Sequence, residues 1–106
     1  MGACMAVCPE ILAKREELHE LCRRFRVKRL EVFGSAATDR FDPARSDVDF
    51  LVEFDGTDDL FHRFFDLLAE MEQLLGRSVD LLMPSAIENK YLMLSINRTR
   101  TPLYAA

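Results

Sequence analysis

Two aspartates, Asp47 and Asp49, flank a single valine in "SDVDF", and the pair Gly34-Ser35 stands a short loop upstream. A third acid, Asp80, lies in "SVDLL". If "DVDFLVEF" is a strand, its side chains alternate between faces. Val48, Phe50, Val52 and Phe54 then form a wholly apolar face, and Asp47, Asp49, Leu51 and Glu53 share the other. The two aspartates project the same way, about 7 Å apart at a rise of ~3.3 Å per residue. Aspartate is disfavoured in strands, and like charges on one face repel. A divalent cation turns that cost into a use, because hard cations such as Mg²⁺ take carboxylate oxygens and keep positions open for substrate phosphates. If the strand carrying Asp80 is a neighbour, Asp80 joins the other two. Gly34 lets a backbone approach a phosphate closely, and Ser35, with amides at a helix start, can hold one. Three carboxylates beside a Gly-Ser turn suit phosphoryl transfer assisted by one or two metal ions. The Asp-x-Asp pair alone is weak evidence, since either acid can cap a turn or face water at a sheet edge. The combination is far more specific.

The elements that must position these residues follow from periodicity. A first helix is expected from Pro9, with Ile11, Leu18, Leu21, Cys22 and Phe25 at helical spacing and Arg23, Arg24 and Arg26 crowding its end. "KRLEVFG" reads as a strand stopping at Gly34, and Ser35-Ala36-Ala37 as the start of a short helix. "DRFDPARS" is a loop, "DVDFLVEF" the second strand and "DGTDD" a turn. A long amphipathic helix follows, with Leu60, Phe61, Phe64, Leu67, Leu68, Met71, Leu74 and Leu75 on one side and Gly76 as its stop. "RSVDLLM" is a third strand ended by Pro84; residues 85–98 read as a helix, and "TPLYAA" leaves it. The order predicts a small α+β (α/β) domain, a mixed sheet packed by helices, with 1–106 as a single unit.

Bulk properties narrow the function. The chain has 106 residues, 49% hydrophobic and 30% charged, with a formal charge of −4. That composition suits one soluble globular domain. The negative balance argues against duplex binding, which draws its affinity from Lys and Arg on phosphates. No stretch approaches the ~20 apolar residues of a membrane span, and "MGACMAVCPEIL" lacks a basic leader region, so a cytoplasmic protein is expected. Cys4, Cys8 and Cys22 are an odd, loosely spaced set that fits free thiols in a reducing compartment. With His19 they have the residue types of a zinc site, but Cys22 falls on an apolar helix stripe, where cysteine serves as a small hydrophobe. His19 and His62 read as surface helix residues. Neither a P-loop nor a G-x-G-x-x-G is present, and Leu51 occupies what would be the next ligand position of an EF-hand.

At these residues the chain resembles the minimal nucleotidyltransferases of the DNA polymerase beta-like superfamily, the MNT type. The likeness rests on Gly34-Ser35 after a strand, then Ser46-Asp47-Val48-Asp49-Phe50-Leu51-Val52, then Asp80 in "RSVDLL". It extends over "VKRLEVFGSAATDRFDPARSDVDFLVEF" and the tail "INRTRTPLYA". The resemblance implies Mg²⁺-dependent transfer of AMP from ATP to an acceptor hydroxyl, with two ions held by Asp47, Asp49 and Asp80. Asp80 would also activate the acceptor oxygen. Gly34 and Ser35 would grip the β/γ-phosphates, and Ser46 is a motif position grouped with them. It further implies a partner, a HEPN-type ribonuclease toxin, which an MNT protein neutralises as antitoxin by adenylylating a tyrosine. A hetero-oligomer with the toxin is therefore expected. The chain departs from the pattern at Asp39, where many relatives carry glycine. Aspartate tolerates φ > 0 better than most residues though less well than glycine, and its charge near a triphosphate would oppose nucleotide binding unless it points away or joins the metal shell.

Two other readings compete. One is a non-catalytic antitoxin acting by occlusion; the other is a small-molecule nucleotidyltransferase. The intact acids favour catalysis, and a chain this short has no separate domain for a small acceptor. Tyr91, Leu92, Leu94 and Ile96 of the tail helix form a stripe for docking the toxin or, as is more common for such stripes, for core packing.

Overall fold

The computed structural model describes residues 9–37 and 47–106. In chain order it contains α1 (Pro9–Ala13), α2 (Arg15–Arg24), β1 (Val27–Phe33), a 3-10 turn (Gly34–Ala37) and β2 (Val48–Phe54). α3 (Leu60–Leu75), β3 (Val79–Leu82), a second 3-10 turn (Pro84–Ala86), α4 (Lys90–Thr99) and β4 (Thr101–Ala105) follow. The strands form one four-stranded sheet in the order β3-β2-β1-β4. β1 is antiparallel to both β2 and β4, and β2 is parallel to β3. The fold is thus a small mixed α+β domain, as the alternation of elements predicts.

The apolar face of β2 lies where alternation puts it. Val48, Phe50 and Val52 are fully buried with Leu18 and Cys22 of α2 and Leu67 and Met71 of α3. Each large side chain removed from water in this way contributes roughly 1.5–3 kcal/mol. The opposite face of the sheet is covered only in part. There Leu51 and Phe33 pack with Ile96 of α4 in a second, smaller cluster. α4 therefore sits on the same sheet face as Asp49.

Three boundaries differ from the expectation. The first helix is interrupted at Lys14, whose N–H bonds back to the Ile11 carbonyl at 3.1 Å. The tail helix starts later, because Pro84 opens a separate turn and Asn89 then caps α4, its side-chain oxygen accepting from the amides of Tyr91 and Leu92. "TPLYA" is a strand rather than a tail. Pro102 within it supplies no N–H, which argues against a strand in general but is tolerated at a sheet edge, the place β4 occupies. Gly76 ends α3 as expected, at φ +70°, with its N–H on the Glu72 carbonyl. Among the described residues no helix is long and apolar enough to cross a membrane.

Candidate active site

The parallel pairing of β2 with β3 sets Asp49 directly opposite Asp80. The condition on Asp80 is met with respect to Asp49, since its strand is the immediate neighbour. The two carboxyls share a hydrogen bond, and Asp49 is half-buried. Its carboxyl is pushed up to about 6, first by burial, then by the hydrogen bond and negative charge of Asp80, then by the charge of Asp47. Asp47 immediately precedes β2 and is exposed, as is Asp80. Among the described residues no three His, Cys, Asp or Glu side chains converge as a ready ligand set. The arrangement is a touching pair, Asp49 and Asp80, with Asp47 acting on it through its charge. Carboxylates set side by side in this way are hard oxygen donors, and they suit a hard divalent cation.

Gly34 closes this site from the side. It follows β1, whose last residue, Phe33, lies opposite Asp49. It adopts φ +75°, and a Cβ built on it would come 2.7 Å from Oδ2 of Asp49. Only glycine gives both this backbone and this approach. Gly34→Ala is expected to strain the turn by ~1–2 kcal/mol. It is also expected to push the carboxylate aside, cutting the nucleotidyl transfer that the resemblance implies on the order of 10²-fold. Transfer rates set beside a urea melt separate the two effects.

The Gly34 N–H is already engaged, donating to Oγ1 of Thr99 at 2.8 Å. Thr99 is a site neighbour that the motifs do not single out; its only trace is its place in "INRTRTPLYA". Ser35 lies in the same 3-10 turn by its backbone. Ser46 and Asp39 lie outside the described residues.

The remaining candidates separate cleanly. Cys22 is fully buried, and burial pushes its thiol up to about 12, so it serves as a core hydrophobe. His19 is bonded through Nε2 to the Leu103 carbonyl at 2.8 Å and packs on Tyr104. Cys4 and Cys8 lie outside the described residues. His62 is exposed beside Asp59. In α4, Ile96 is core, whereas Tyr91 and Leu94 are 83% and 59% exposed, so the apolar stripe divides between packing and open surface.

Comparison with known proteins shows the family of the chain. A family model described as a nucleotidyltransferase domain matches residues 14–101. A Methanocaldococcus jannaschii protein assigned as a protein adenylyltransferase is 39% identical over 87 residues, covering 82% of this chain and 85% of that protein. A solved structure assigned as a minimal nucleotidyltransferase matches with a TM-score of 0.72 at 30% identity, covering 87% of this chain and 91% of that one. A chain from the complex of tri-AMPylated Shewanella oneidensis HEPN toxin with MNT antitoxin matches with a TM-score of 0.63. Its identity is 18%, over 90% of this chain and 72% of that one, so the likeness is one of fold. The matched span contains Gly34, Asp47, Asp49 and Asp80 together. By that match and by its close relatives, the chain belongs to the nucleotidyltransferase domain family.

Proposed function

We propose that this chain, with 1–106 acting as one domain, moves AMP from ATP to a tyrosine hydroxyl of a HEPN-type toxin and so serves as its antitoxin in the cytoplasm. The carrying observation is the Asp49–Asp80 pair packed against a turn that has no room for a side chain at residue 34. The adenylyltransferase assignment of the relative and the AMPylated toxin in the fold neighbour support the choice of reaction and partner.

In this reading Asp47 and Asp49, with Asp80, would hold Mg²⁺, which when bound would supply positive charge against the triphosphate. Asp80, exposed at the rim, takes the proton of the acceptor hydroxyl. The hydroxyl oxygen forms a bond to the α-phosphorus, the bond from that phosphorus to the β,γ-diphosphate breaks, and diphosphate leaves with the electron pair. Gly34 and Ser35 bring the turn's backbone to the phosphates, and Ser46 completes the sequence motif. The net charge of −4 suits a protein that meets nucleic acid only through its partner.

The test is incubation with α-labelled ATP, Mg²⁺ and the product of the neighbouring gene, expected to be the toxin. Label is expected on the toxin with the wild-type chain and none with Asp47→Ala/Asp49→Ala. Neutralisation that survives the double substitution would replace transfer with occlusion.

A further inference from the structure

Gly34 has no side chain with which to anchor itself, and its φ of +75° is one that the chain leaves readily. What holds it is a ring of contacts ending on Thr99. Thr99 is the last residue of α4 and is partly buried, with Oγ1 2.8 Å from the Gly34 nitrogen. Its own carbonyl accepts from Oγ1 of Thr101 at 2.9 Å. The next residue, Arg100, donates from Nε at 3.0 Å and from Nη2 to Oε1 of Glu31. Glu31 is a buried residue of β1, three positions before Gly34. The end of β1 thus grips Arg100, and Thr99 returns to grip the glycine that follows β1. Ile96 fixes the helix behind them in the second cluster.

We infer that Thr99 is a positioning residue of the nucleotide turn: its hydroxyl oxygen fixes the Gly34 amide and so sets the distance between that turn and Asp49. The turn touches the carboxylate, so a shift at residue 34 moves the phosphate cradle relative to the acid pair. Thr99 acts on the acids through that turn. The inference about Thr99 and Gly34 stands on these contacts, while its consequence for nucleotide binding rests on the function proposed above.

The experiment compares Thr99→Val, which keeps the shape and loses the acceptor, with Thr99→Ser, which keeps the acceptor. Two readouts are taken on the full chain: hydrogen exchange of the Gly34 amide without nucleotide, and the Kd for Mg²⁺–AMP-PNP. In Thr99→Val the Gly34 amide is expected to exchange about five- to tenfold faster, as befits one lost hydrogen bond, and the Kd to rise by a similar factor. Thr99→Ser is expected to match the wild type in both. Unchanged Gly34 exchange in Thr99→Val, or equal defects in Val and Ser, overturns the inference. Should Thr99→Val fail to fold, Thr99→Ala takes its place against Ser under the same criteria. A wild-type chain that binds no nucleotide would sink the proposed function instead, and the exchange comparison would still decide the role of Thr99.

Discussion

Asp49→Asn is expected to cut nucleotidyl transfer by orders of magnitude and, in metal-free protein above pH 6, to raise the melting temperature. Both effects follow from the same carboxyl. The folded chain holds the Asp49 proton up to a pH of about 6. An unfolded chain releases it near ~3.9. Between these values the folded state binds more protons, so this contribution to stability is fully present below pH ~4. It is lost as pH rises through about 6. Asparagine has no proton to lose, so the variant keeps its stability where the wild type gives it up. Asp49 is only half-buried, and after discounting for solvent the gain is ~1 kcal/mol. A gain of that size corresponds to about 4–8 °C in a domain near this size. Mg²⁺ should raise the melting temperature of the wild type and leave the variant unmoved. Transfer should fall on the order of 10²–10³-fold, the range seen when one electrostatic stabiliser is removed. Melting curves at pH 5 and pH 8, with and without Mg²⁺, check the sign; a variant no more stable than wild type at pH 8 would remove the repulsion on which the site rests.

Arg63→Met is expected to destabilise the fold as much as the loss of a large core side chain. Arg63 is buried in the first turns of α3. Its Nε donates to the carbonyl of Phe25, Nη1 to that of Asp58, and Nη2 to those of Arg26 and Asp55, all at 2.8–3.1 Å. The guanidinium also lies over the Phe54 ring, 4.9 Å from its centre. One side chain therefore joins the turn entering β1, at left-handed Arg26, to the turn leaving β2. Methionine fills much of the volume and leaves the carbonyls without their donors, a loss of about 3–5 kcal/mol by analogy with a broken buried ion pair. Lysine should recover little, because a point charge cannot reproduce a planar fork that serves carbonyls on several sides. A shift in the urea midpoint at constant m-value is the measurement.

How much of this was legible depended on which atoms carry the information. The β2 face assignment was readable because a period of two is written in side chains, and Leu51 and Asp49 both fall where alternation puts them. The Asp49–Asp80 pairing was readable only as a condition, since strand order is not local. β4 was obscured by Pro102, whose missing N–H counts against a strand anywhere but an edge. Thr99 and Arg63 left no signal because their partners are main-chain groups, an amide in one case and carbonyls in the other. Phe61 and Arg63 exchange expected places: Phe61 is 71% exposed and stacks on Phe65, whereas the charged residue goes inside. Helical spacing could not foresee a cation whose burial is compensated by turn carbonyls. Ser46 and Asp39 lie outside the described residues, and the motif alone speaks for them.

The position of β4 has a consequence for synthesis on the ribosome. Its partner in the sheet, β1, is translated some seventy residues earlier. A nascent chain therefore displays all three acids well before the segment that secures the bend after β1 has emerged. Until the stretch around 99–105 is available, the emerging polypeptide has its acids but not the contact that fastens the bend after β1, so the site waits on that stretch.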